Sequence, residues 1–385
     1  MSIIKLLFRN TFRHKLRNSL TILGITIAIL SFGLLRTVVH AWYAGVEASS
    51  ASRLITRNAI SLVFMLPSSY RDKIRQIEGV KTVSWGNWFG GIYIDEKHFF
   101  PNFAVDPKTY LDLYPEFILT EEEKKAFFRD RKGCVVGQLT AQKYGFKIGD
   151  TVTLKGTIFP GDWNFIVRGI YRGRDKGTDE SQFFFSWEYL NETMKKTIPR
   201  RADQIVFFIL GIRRPDQAAE VASAIDRSFK NSITETLTET EKAFQMGFVS
   251  MTEAIVIAIQ LVSYVVIVII MAVVANTMAM SARERTGEYV VFKTLGFGSR
   301  HLAGLIFGES FVITMTGCAL GILATFPAAE AFGNAMSTFL PVFNVSTETI
   351  YYDLLAAVVV ATTAAIIPTI RIMHIRIADG LRKIA

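Results

Sequence analysis

Residues 252–309 read TEAIVIAIQLVSYVVIVIIMAVVANTMAMSARERTGEYVVFKTLGFGSRHLAGLIFGE. The run from Ala254 to Ala282 carries no charge and is 29 residues long, more than the roughly 20 needed to cross a bilayer core. The chain then becomes dense in charge from Arg283 to His301 and turns apolar again. This pattern predicts a membrane hairpin whose water-facing tip carries a short amphipathic helix. On that helix Tyr289, Phe292 and Leu295 or Gly296 share one face, with Glu284, Arg285, Glu288 and Lys293 around it. Gly296 and Gly298 suit a helix stop, and Ser299 suits the N-cap of the next helix. Such a tip either docks into a groove on a partner or lies on lipid headgroups.

Composition sets the frame around the hairpin. Half of the 385 residues are hydrophobic and the mean hydropathy is +0.30, which fits a few spans plus a sizeable soluble domain. The net charge of +9 is explained by its location rather than by nucleic acid. Lys5, Arg9, Arg13, Lys15 and Arg17 open the chain without an acid. Arg283, Arg285, Lys293 and Arg300 crowd the tip, and Arg371, Arg376, Arg382 and Lys383 close the chain. The loop from Glu330 to Asp353 has acids and no Lys or Arg. This is the positive-inside distribution of a multi-span protein. Cys134 and Cys318 fall in a soluble and a membrane segment, so no disulfide is expected.

Residues 2–17 alternate apolar and basic faces as an interfacial helix does. A first span follows from about Asn18 to Trp42 and is expected to be retained, since no small-residue cleavage site closes it. Arg36 lies about 27 Å along it and is expected to snorkel to the outer interface, with Trp42 and Tyr43 as anchors. Next come about 200 residues of mixed polarity. Ala59–Leu66, Val80–Trp85, Gly91–Ile94, Gln204–Ile212 and Ser232–Leu237 read as strands, and 68–79 and 215–230 as helices. Two βαβ units separated by a strand-rich insertion, about 97–188, imply a split α/β sandwich. From Glu239 to Ala282 there is no Pro and one Gly. A single helix over that stretch would extend about 66 Å and leave a stalk outside the bilayer. The third span carries Gly304-xxx-Gly308 and Gly317-xxx-Gly321, a spacing that allows close helix contact, and Pro327 ends or kinks it. The fourth runs from about Leu354 to Ile370 and is rich in Ala.

Catalytic chemistry is not evident. No G-x-x-x-x-G-K-[ST] loop occurs, the five histidines are scattered without ligand spacing, and no G-x-S-x-G elbow is present. LTEEEKKAFFRDRK reads as a solvated helix face. Phe183–Phe185 fill a core or line a lipid-facing groove. Glu309 is read as the acid inside a span, either paired with Arg283, Arg285 or Arg17 or snorkelling inward.

Asn276, Glu284, Arg285, Glu288, Leu295, Gly296 and Glu309 together resemble the signature of the MacB-like and FtsX-like ABC transporter permeases, the mechanotransmission (type VII) class. Val290 stands where that family usually has a small residue. FRNTFRHKLRNSLTILGI near the start, the Gly149-Asp150 turn with Gly137, Val167, Gly169 and Ile170, and Pro368, Arg371, Leu381 and Arg382 at the end are similar to the family's patterns. The resemblance implies four transmembrane helices plus an α+β extracytoplasmic domain with a helical stalk, in the bacterial inner membrane. The implied division is an interfacial helix at 1–17, spans at 18–43, 239–282 with the stalk, 300–329 and 351–373, an outer domain at 44–238, a coupling helix at 283–299, an outer loop at 330–350 and a tail at 374–385. It further implies a non-enzymatic permease subunit with no cofactor of its own. A separate ABC ATPase would bind ATP and Mg and grip Glu284, Arg285, Glu288, Tyr289, Phe292, Leu295 and Gly296. The chain would pair as a homodimer or with a paralogous permease, contact membrane lipid and a periplasmic adaptor, and export or extract a hydrophobic cargo such as a lipid, lipoprotein, peptide or drug. The alternative within the family is a non-transport regulator of an extracytoplasmic hydrolase or signalling partner.

Overall fold

The computed structural model describes residues 15–336 and 340–374. The interfacial helix expected over 1–17 lies, up to residue 14, outside the described residues, as does the tail from 375. Two compact units form. One is helical (described residues 15–41, 253–335 and 343–374). The other is α/β (42–252, 336 and 340–342).

The chain enters through α1 (Lys15–Glu47) and runs into β1 (Arg53–Asn58). β2 (Leu66–Pro67), α2 (Tyr70–Arg75) and β3 (Val80–Trp88) follow, then β4 (Asn102–Val105), α3 (Pro107–Leu113), β5 (Phe117–Ile118) and α4 (Glu121–Arg129). β6 (Gly133–Gly137), α5 (Gln138–Tyr144), β7 (Thr151–Gly156), β8 (Gly161–Gly173), β9 (Phe183–Ser186) and α6 (Trp187–Thr197) complete the insertion. The chain returns through β10 (Gln204–Ile205), β11 (Phe207–Ile212), α7 (Ala218–Ser228), β12 (Thr236–Thr240) and α8 (Glu241–Met251).

Strand order at one end of the main sheet is β12-β1-β11-β3, every neighbour antiparallel. That is the order of a split βαβ fold. The insertion does not stand apart from it. β3 pairs with β4 through Gly86↔Val105, and the sheet continues β4-β9-β6-β8-β5, with β7 on β8. One twisted sheet therefore carries both parts. Its faces are separated by the two-residue period of a strand. Phe183 and Phe185 enter one core with Phe89 and Phe165, while Phe184 enters the other with Tyr110 and Phe117. All three are at most 1% exposed, so the Phe run fills core. The charge run 119–132 forms α4, closed by a capping box between Thr120 and Glu123, with Phe127 buried beneath it.

Three strands differ from the sequence pattern, one of them by a shift from Ser232–Leu237 to Thr236–Thr240. Ala59–Leu66 was expected to be a strand, but the strand is Arg53–Asn58. The Asn58 side chain accepts from the Ile60 N–H at 2.9 Å and turns the chain, leaving Ile60 and Val63 80% and 82% exposed. The polar residues of β1 are buried because each has a partner. The Thr56 and Thr238 hydroxyls lie 2.9 Å apart, and Arg53 pairs with Glu241 at 2.7 Å and Glu116 at 2.8 Å. Gly91–Ile94 is no strand either. Ile92 forms a lone bridge to Lys155, and Ile94 at φ 61 leaves the extended region.

The end of α1 and α8 run side by side as two legs of the α/β unit. The Ser50 N–H donates to Glu241 at 2.8 Å at one end, and the Trp42 indole donates to the Thr252 hydroxyl at 2.8 Å at the other. Arg53 extends this junction, donating to the Leu113 carbonyl and lying 4.2 Å from the centroid of the Tyr114 ring. Tyr114 in turn donates to Glu241. The single helix expected over 239–282 is two helices. α8 ends at Met251, and Thr252 takes φ −116, ψ 13 before α9 (Glu253–Glu284) begins.

α9, α10 (Thr286–Thr294), α11 (Ser299–Met336) and α12 (Thr347–Met373) complete the chain. With α1, three of these are long and apolar enough to cross a membrane. α11 continues through Pro327, which does not end it. Ile25, Ile29, Ile270, Val274, Ile313 and Val360 are among the residues of the shared core. Gly317 and Gly321 make the close contact their spacing predicts. A Cβ on either would lie 2.7 Å from the Cβ of Ile25 or Ile29. Gly304, by contrast, has nothing within 4 Å of such an atom. We therefore expect Gly321→Val to force α1 and α11 apart and cost about 1–3 kcal/mol. It should lower the melting temperature of detergent-solubilised protein, and Gly304→Ala should leave it unchanged.

Candidate coupling site at the hairpin tip

α9 hands over to α10 at Arg285, and α10 to α11 through Gly296, whose φ of +89 favours glycine. Arg285 is 6% exposed. Its Nη1 donates to Glu309 Oε2 at 2.7 Å and its Nε to Glu288 Oε2 at 3.3 Å. Its guanidinium lies 5.6 Å from the Tyr289 ring centroid. Glu309 is likewise 6% exposed, so of the partners the sequence offers, Arg285 is the one it takes. Arg17 goes instead to Glu284, at 2.5 Å.

Tyr289 is 3% exposed and Val290 1%. Tyr289 packs with Ala282, Leu302, Ile306, Ala365 and Ile372, and Phe292 lies partly buried against them. Burial pushes the Tyr289 phenol up to about 12, so it remains neutral. Lys293 Nζ donates to the Ile372 and Met373 carbonyls at 3.1 and 3.0 Å, closing the C-terminal end of α12, where a cation also complements the helix dipole. The tip helix is thus braced against α9, α11 and α12, while Arg17 ties α1 to the end of α9.

What the tip exposes differs from the face drawn on the sequence. At about 100° per residue, Tyr289 and Leu295 stand about 120° apart, so Tyr289 points inward while Leu295 is 69% exposed. Val291, one turn before Leu295, is 46% exposed, and Phe297 is 43% exposed. Phe292 and Phe297 meet edge-on at 5.6 Å. Val291, Phe297 and the bracing role of Lys293 were not singled out by sequence. The first lies between buried Val290 and half-buried Phe292, and the second beyond the helix. Asn276 is exposed on α9. Glu309 is not the sole acid inside a span. Asp353 lies within α12 and is 1% exposed. Among the described residues no cluster of His, Cys, Asp or Glu could hold a metal.

The MacB-like periplasmic core domain model matches residues 19–228, more than half of the chain, and the FtsX-like permease C-terminal model matches residues 261–377. The chain belongs to the MacB-like/FtsX-like ABC transporter permease family. It is also 24% identical over 345 residues to an uncharacterized ABC transporter permease, MJ1507, of Methanocaldococcus jannaschii, covering 85% of this chain and 84% of the relative. Among solved structures, the extracellular domain of the noncanonic ABC-type transporter YknZ from Gram-positive bacteria aligns at TM-score 0.37 and 11% identity, over 49% of this chain and 100% of that one. A permease domain from Porphyromonas gingivalis aligns at 0.35 and 12%, over 50% and 92%. As a member of this permease family, the chain is a multi-pass inner-membrane protein with a large extracytoplasmic domain.

Proposed function

We propose that this permease couples ATP hydrolysis in a separate ABC ATPase subunit to movement of its extracytoplasmic domain, and so exports or extracts a hydrophobic cargo. The observation that carries this reading is the tip. Val291, on a helix otherwise fixed on several sides, and Leu295 and Phe297, just beyond its end, are exposed. Three large apolar side chains on the charged end of a hairpin suit a soluble partner's groove. ATP and Mg bind in that partner. The paired legs support the outward half of the reading. Arg53, Glu241 and Glu116 tie both legs to the insertion, so displacement of α8 reaches β1 and β5 together.

The exposed polar side chain of Asn276, beside Val273 and Met280 on a membrane helix, favours association with a second copy or a paralogous permease, since an amide facing lipid lacks partners. Lipid and a periplasmic adaptor complete the proposed set of partners. The proposed coupling helix is 283–299, and the residues proposed to meet the ATPase divide between bracing (Arg285, Glu288, Tyr289) and docking (Leu295, flanked by Phe292).

Mild-detergent purification of the tagged chain from its native membrane tests this. An ABC ATPase should co-purify, and the complex should hydrolyse ATP while the chain alone does not. ATP turnover by the chain alone, or a complex containing an extracytoplasmic hydrolase and no ATPase, would overturn the reading.

A further inference from the structure

Two acids are buried in the helical unit, and they are held in opposite ways. Glu309 has a charge-assisted bond to Arg285. Asp353 has none. Its Oδ1 is buried without a hydrogen-bond partner among the described residues, and its Oδ2 sits 3.1 Å from where a Cβ on Gly33 would lie, a tight approach that glycine eases. The Thr325 hydroxyl, beside the same point, is committed to the Gly321 carbonyl at 2.8 Å. Cys318, from α11, reaches only the main-chain oxygen of Asp353, at 3.8 Å.

The cation on this side of α1 is Arg36. It makes no ion pair with Asp353 within 4.0 Å among the described residues. Its guanidinium carbon instead lies 4.3 Å from the Tyr352 ring centroid, and its Nε is buried without a partner. His40 lies one turn further along α1. α9 brings no charge between Glu253 and Arg283, and its Tyr264 is exposed. The nearest acids along α11 and α12, Glu330 and Glu348, are exposed.

A buried carboxylate with no protein donor and no ion pair costs far more than the neutral acid in the same place. We propose that Asp353 is a proton-binding site, occupied in this arrangement and emptied when Arg36 leaves Tyr352 to pair with the carboxylate. The step balances. One proton passes from the carboxyl oxygen to water, and the remaining negative charge is compensated by a cation already present. Proton occupancy thereby favours the packing of α1 on α12 seen here. The proposal does not depend on which surface the ATPase grips.

Infrared spectroscopy of the full chain in lipid nanodiscs tests it, using aspartate labelled with ¹³C at the side-chain carboxyl. At neutral pH the spectrum should contain a protonated-carboxyl band that shifts with the label and is missing in Asp353→Asn. Arg36→Gln should retain that band to more alkaline pH, because the ionised state has lost its cation. Absence of a label-sensitive band in wild type at neutral pH overturns the proposal whether or not the Asn variant folds, as does an identical titration in Arg36→Gln.

Discussion

Leu295→Asp should strip the ATPase from the purified complex while leaving the permease folded. The side chain is 69% exposed, so its replacement removes little internal packing. A carboxylate forced into an apolar groove loses the anchor and must also be desolvated. Truncating an interface anchor alone often costs about 2 kcal/mol or more, about 30-fold in affinity, and the added charge increases this. Phe297→Ala should weaken recovery in the same direction. Tyr289→Ala should behave differently. Tyr289 is enclosed by α9, α11 and α12, so its loss should cost about 3–5 kcal/mol of stability, as for other buried aromatics, and appear as a lower melting temperature. Pull-downs at matched expression, read beside thermal melts, separate the two effects. Normal ATPase recovery with Leu295→Asp would remove the exposed face from the mechanism.

Breaking the Arg285–Glu309 pair should have the largest effect on the helical unit itself. Glu309→Leu leaves a guanidinium 6% exposed with the longer, partly exposed Glu288 contact as its remaining ion pair among the described residues. Removing one partner of a buried ion pair typically costs about 3–5 kcal/mol. Replacing both partners by apolar residues is often close to neutral, so Arg285→Met with Glu309→Leu should recover most of the loss. Thermal unfolding of the two single variants and the double variant measures the coupling. Additive losses would show that the pair does not act as a unit.

The membrane part of the fold is legible because a 29-residue uncharged run admits few other readings, and Glu309 stands out inside such a run. Asp353 does not, since it follows Glu348, Tyr351 and Tyr352 in what reads as the watery edge of a span. Only the packing of Gly33 and Thr325 shows that this edge is interior. In the outer domain the alternation rule finds β3 and β11 but misplaces β1. A strand whose buried side chains include Arg53, Thr56 and Asn58 looks polar until Glu241 and Thr238, far along the chain, are seen to satisfy it. The tip shows the same limit at finer scale. Helical spacing put Tyr289 and Leu295 on one broad face, and only the neighbouring helices decide which edge of that face is covered.

The position of β1 has a consequence for how the protein is made. β1 is threaded early, yet its first sheet partner is absent until the chain has reached Gly211, and its other edge stays open until Thr240. The insertion has no such delay, because β4, β6, β7, β8 and β9 find partners among one another. Contacts between distant segments form slowly and leave strand edges unguarded meanwhile. During translocation the middle of the outer domain therefore assembles ahead of its root, and β1 waits with its edges exposed outside the membrane. A destabilised β11 or β12 would accordingly be felt as aggregation during biogenesis before it was felt as lost activity.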